Sequence, residues 1–132
     1  MLPNLNAEQR RLGLRSIYAV CLLGATYNHA SMLARHGILW DYGGVPQASA
    51  IFWTALTVID PAAVVLLFIR PNAGVVATAV IIVADVIHNL WITAHYFPPM
   101  LHGVADSPAM IEQIVFMIFV LATAKFAWRP RI

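Results

Sequence analysis

Four apolar runs, each close to the about 20 residues that a membrane-spanning helix requires, constrain this chain more than any other feature. They cover residues 15–34, 48–69, 75–97 and 110–128 and read "RSIYAVCLLGATYNHASMLA", "ASAIFWTALTVIDPAAVVLLFI", "VVATAVIIVADVIHNLWITAHYF" and "MIEQIVFMIFVLATAKFAW". Between them lie the helix breakers "DYGGVP", "RPNAG" and "PPMLHGVADSP", rich in the proline and glycine that end helices. Hydrophobic residues make up 61% of the 132-residue chain and charged residues 11%, against about 45–50% and about 25% in a soluble domain. A core this small cannot hide that excess, so the solvent is expected to be lipid. The expected fold is all-α, an integral membrane four-helix up-down-up-down bundle, forming a single transmembrane domain over residues 1–132.

Charge placement sets the expected orientation. Of the eight basic residues, Arg10, Arg11 and Arg15 lie before or at the start of the first run, Arg70 sits in the second connection, and Lys125, Arg129 and Arg131 lie at the C-terminal end. Only Arg35 falls on the other side. The positive-inside bias then puts both termini in the cytoplasm, an inner-membrane orientation, with Trp40, Trp53, Tyr96 and Trp128 near the interfaces. An arginine-led start before "SIYAVCLLGA" also has the look of a secretory signal, but no small-x-small cleavage site follows it and the first helix is expected to stay. The basic residues form no cluster interleaved with aromatics, which excludes a nucleic-acid partner. The lone Cys21 excludes an internal disulfide.

The third run carries the chemistry. On insertion scales a central aspartate costs about 2.5–3.5 kcal/mol while each Val, Ile or Leu returns about 0.3–0.6. Ten such residues in 75–97 therefore barely outweigh Asp85, His88 and Asn89. Ionisable groups in a spanning helix face the bundle interior or a wet cavity and mark a site by default. Asp85, His88, Ile92 and His95 fall on one helical stripe, with Asn89 beside it.

At about 1.5 Å of rise per residue, His29, Asp60, Asp85 and His88 lie about 15–21 Å from their helix entries, so a shared layer is expected. Pro61 follows Asp60 directly and should kink the second helix. No lysine or arginine shares the depth of Asp60, so its carboxyl either carries a proton or pairs with a histidine.

Asp85, His88 and Asp60 are the candidate acid/base residues. His29, Asn28, Asn89, Trp91 and His95 are the candidate ligand-binding residues. The alternative for the Asp85–His88 pair is an interhelical hydrogen bond that holds the bundle together. His36, Asp41, His95, His102, Asp106 and Glu112 fall near the outer face as solvated residues, and no metal site is expected from them.

Four spans with acids and a histidine at mid-depth, "IIVADVIH" being the nearest local match, resemble in layout the emopamil-binding and sigma-2 receptor family, whose members bind or isomerise sterols. The long polar connection after that family's first helix is missing here and its glutamates have no clear counterparts, so the family is not assigned.

Three functions remain open. One is an intramembrane Asp/His site that binds a lipophilic small molecule of the lipid, sterol, terpenoid or quinone class and transforms it by acid/base chemistry. A second is an accessory or structural subunit of a larger membrane complex or of a homo-oligomer. The third is a b-type haem, metal or ion-handling protein, with His29 and His88 as axial haem ligands. No nucleophile motif, phosphate loop or nicotinamide fingerprint is present, which argues against acyl, phosphoryl and hydride transfer.

Overall fold

In the computed structural model, which describes residues 5–98 and 107–130, the chain is all-helical. The helices are α1 (Leu5–His36), α2 (Gln47–Ile69), α3 (Pro71–Tyr96) and α4 (Pro108–Ala127). Each packs against the next, α4 packs back on α1, and α1 also touches α3.

Helices α2, α3 and α4 are long and apolar enough to cross a membrane. Helix α1 is long enough but more polar. Its first turns hold Glu8, Arg10, Arg11 and Arg15, and Tyr27, Asn28 and His29 interrupt its apolar stretch. It therefore falls short of the expectation that all four runs qualify.

Helix starts follow local rules the apolar runs did not capture. Proline is well placed at the first helical position, where its missing N–H has no partner to lose, and α3 opens on Pro71 and α4 on Pro108. Ser107 caps α4 by accepting from the Met110 amide at 3.4 Å. "RPNAG" is thus not a loop: only Arg70 separates α2 from α3. The turn is tight enough that a Cβ at Gly74 would overlap the backbone of Leu66 and Leu67, so glycine is needed here for close approach.

The core runs along the four-helix axis through Tyr18, Leu22, Ala63, Leu67, Val75, Ile82, Val86 and Val120. Tyr18 is fully buried. Its hydroxyl shares a 2.6 Å hydrogen bond with Thr123 Oγ1, and its ring meets Phe116 and Phe119 edge to face. Arg15 is 4% exposed; its guanidinium donates to the Leu67 carbonyl at 3.4 Å and to Glu8 Oε1 at 3.2 Å, satisfying one of the orphan carbonyls at the end of α2. Asn72 and Arg129 exchange two bonds, the Asn72 amide donating to the Arg129 carbonyl at 2.9 Å and the Arg129 N–H to Asn72 Oδ1 at 2.7 Å. The outward faces stay apolar, with Val58, Val80, Ile87 and Ile118 each about three-fifths exposed or more.

Candidate functional site

The polar side chains of α3 are held by α2 and α4 in two levels. The inner level begins at Asp60, 1% exposed. His29 Nε2 of α1 stands 4.0 Å from its Oδ2, and Asp85 of α3 is buried as well. Asp60 Oδ1 and Thr57 Oγ1, one turn away on the same face, are buried and have no hydrogen-bond partner among the described residues.

One turn outward, Asn89 joins three helices. Its Oδ1 accepts from Trp53 Nε1 of α2 at 2.8 Å, and its Nδ2 donates to Gln113 Oε1 of α4 at 2.7 Å and to Asp85 Oδ1 at 3.2 Å. An asparagine amide has this two-sided capacity, whereas a carboxylate only accepts.

His88 sits beside this network rather than in the inner level. Its Nε2 shares a 2.9 Å hydrogen bond with Ser49 Oγ, while its Nδ1 is buried without a partner among the described residues. Phe52 and Trp53 meet its ring edge to face at 4.6 and 5.1 Å, and Trp91 stacks at 6.5 Å.

The aromatic contacts continue in both directions. Trp91 leans on His95 at 4.8 Å and Tyr96 at 6.0 Å. Trp53 leads to Tyr42 at 4.9 Å, then Trp40 at 4.5 Å and His36 at 3.7 Å. Tyr42 reaches this stack from a left-handed backbone (φ 54°), a conformation uncommon outside glycine.

The structure brings His29 to Asp60, and Asp85 to Asn89. It turns His88 instead to Ser49 and the aromatic rings. Trp91 is 45% exposed. Asn28 and His95 are also exposed, the His95 ring bonded through Nδ1 to the Trp91 carbonyl at 2.9 Å. His36, Asp41 and Glu112 are exposed, while His102 and Asp106 lie outside the described residues. Among the described residues no cluster of three His, Cys, Asp or Glu side chains could hold a metal.

A haem between His29 and His88 does not fit this geometry. The Nε2 atoms that would ligate iron are turned to different helical levels, one toward Asp60 and the other bonded to Ser49. An open hollow of about 230 Å³ lined by Arg70, Asn72 and Arg129 is remote from the acids, Arg70 being about 15 Å along α2 from Asp60.

Sequence reasoning missed Ser49, Trp53, Thr57 and Gln113. The available signal was spacing: Ser49, Trp53, Thr57 and Asp60 fall on one face of α2 at i, i+4, i+8 and i+11. Compared with protein families, curated proteins and solved structures, the chain matches none.

Proposed function

We propose that this is a multi-pass membrane protein that binds a lipophilic small molecule of the lipid, sterol, terpenoid or quinone class between the outer ends of α2 and α3, and acts on it by proton transfer. Three contacts support an up-down-up-down bundle, because each joins one helix near its start to the next near its end: Arg15 with Leu67, Ser49 with His88, and Asn72 with Arg129. Helices α2, α3 and α4 are apolar enough to cross a bilayer, and their exposed apolar faces suit lipid. With the basic residues at the ends holding Arg10, Arg70 and Arg129, both termini face the cytoplasm.

The carrying observation is His88 Nδ1, buried without a partner among aromatic rings and one turn from buried Asp85. With its proton on Nε2 donated to Ser49 Oγ, His88 leaves Nδ1 as a free acceptor. A lipophilic body rests against Phe52, Trp53 and Trp91, and half-exposed Trp91 is the ring that moves aside to admit it. His95 lines the mouth, and Asn28 the lipid-facing approach along α1.

His88 then takes or returns a proton at the bound molecule, and Asp85, one turn along α3, serves as its acidic counterpart. A neutral imidazole beside a carboxyl group in an apolar wall is an acid/base arrangement.

The test is mass spectrometry of the organic extract of protein purified in mild detergent, with an absorption spectrum of the same sample. A molecule retained by the parent and lost in both His88→Ala and Asp85→Ala supports the reading. Equal retention in all three, or none in the parent, refutes it.

The Asn89 network favours a second reading in which the polar groups are structural and the outer faces dock a larger membrane complex or a second copy. Native mass spectrometry separates the two: a monomer with a small molecule bound contradicts the second reading.

A further inference from the structure

Several oxygens on the α3-facing stripe of α2 lack the partners that a buried oxygen requires. Thr57 Oγ1 and Asp60 Oδ1 are buried and unpartnered. Pro61 lies inside α2 and has no N–H, so the Thr57 carbonyl also loses the helix bond that residue 61 would supply.

Two contacts fix how α2 and α3 lie along each other: Trp53 meets Asn89, and the Leu66–Leu67 backbone meets Gly74. One turn inward from the Trp53–Asn89 pair, Thr57 therefore comes level with Asp85. Asp85 is buried and accepts from Asn89 through Oδ1, while Asp60 lies one turn further along the same stripe of α2 from Thr57. Among the described residues neither acid has an ion pair with lysine or arginine. The one basic contact, His29 Nε2 at 4.0 Å, is made to Asp60 Oδ2 and not to the unpartnered Oδ1.

We propose that Thr57, Asp60 and Asp85 form a binding site for a small, hard monovalent cation with the chemistry of sodium. The donor set is two carboxylates, one hydroxyl and one backbone carbonyl released by proline. All are oxygens, which select hard cations over soft ones. Broken helical hydrogen bonding beside buried acids is how membrane helices expose carbonyls to sodium.

Calcium takes about six to eight oxygens and magnesium keeps several waters, more than the four oxygens of this donor set. A proton on His29 compensates only the far side of Asp60. The inference rests on the membrane reading above but not on the ligand at His88, and the two fail separately: extraction by alkaline carbonate tests the first, and cation binding tests this site.

The experiment is equilibrium binding of radioactive sodium to the full chain in mild detergent, in choline chloride. Saturable binding is expected, displaced by unlabelled sodium and more weakly by potassium. Thr57→Val, matched in shape, should weaken binding about tenfold or more, at least what losing an outer-shell partner costs a metal site. Asp60→Asn should abolish it, and His29→Gln, on the other carboxylate oxygen, should leave it within a few-fold. Absence of saturable binding, an unchanged affinity in Thr57→Val, or preferential displacement by calcium or magnesium would each overturn the proposal. Should Asp60→Asn fail to fold, the Thr57→Val and parent measurements still decide it.

Discussion

Asn89→Leu separates the cohesive part of the polar cluster from the rest. The substitution preserves bulk and removes three side-chain hydrogen bonds, to Trp53, Gln113 and Asp85. Interhelical hydrogen bonds in membranes average about 0.6 kcal/mol and reach about 1.7 in double-mutant cycles, so three give about 2 kcal/mol.

The stranded partners raise that figure. Trp53 Nε1 and Gln113 Oε1, both half-buried, lose the one partner each has among the described residues, and an unpaired buried group costs about 1–3 kcal/mol. Asn89→Leu is therefore expected to destabilise the bundle by about 2–4 kcal/mol. Equilibrium unfolding in mixed micelles, in which the detergent ratio replaces denaturant, measures it.

Trp53→Phe alone should lose only about 0.6 kcal/mol, and the Trp53→Phe, Asn89→Leu double variant should be less destabilised than the sum, because removing Trp53 removes one stranded group. A stability change in Asn89→Leu below about 0.5 kcal/mol, the spread expected of an indifferent surface substitution, refutes the view that this residue ties three helices together.

Gly74→Ala forces a Cβ into the Leu66–Leu67 backbone and should destabilise by about 1–3 kcal/mol, the range of overpacking, measured in the same micelles. Arg15→Met keeps the stem and withdraws the guanidinium from the Leu67 carbonyl; the expected loss is about 1.5–3 kcal/mol, with little of it from half-exposed Glu8, so Glu8→Gln should cost less than about 1 kcal/mol. Tyr18→Phe should lose about 0.6–1.7 kcal/mol through the Thr123 bond while leaving the edge-to-face rings in place. Asn72→Leu should speed amide hydrogen exchange at Trp128 and Arg129 relative to the α4 interior, since the two bonds that pin that segment vanish.

Helices α2, α3 and α4 were legible because length and hydropathy decide them locally, and their bounds shift only where proline chemistry operates. The α2–α3 connection was legible as a tight hairpin but not as a single-residue corner, because "RPNAG" reads as breakers throughout. Pro71 becomes a helix start and Gly74 a contact point only once Leu67 is known to lie against it. Arg15 read as a marker of orientation, yet it is buried. Its burial depends on a carbonyl 52 residues away, which no local pattern carries.

The pairing of His29 with Asp60 followed from depth alone. The departure of His88 from that level did not, because Ser49, Phe52 and Trp53 look like ordinary interface residues until their ring and hydroxyl contacts are seen. Gln113 was invisible for the same reason, being one amide among the polar residues at the start of α4.

The single-residue corner at Arg70 has a bearing on how the chain is made. A span with an aspartate, an asparagine and a histidine is a poor passenger by itself, and a translocation channel handling it alone would release it to either aqueous side. On the membrane reading proposed above, α3, joined to α2 by one residue, is expected to enter the bilayer together with it, with Trp53 holding Asn89 and Ser49 holding His88. Lengthening that corner with a flexible glycine–serine insert, though it touches no polar side chain, should therefore lower the yield of correctly threaded protein in the cell.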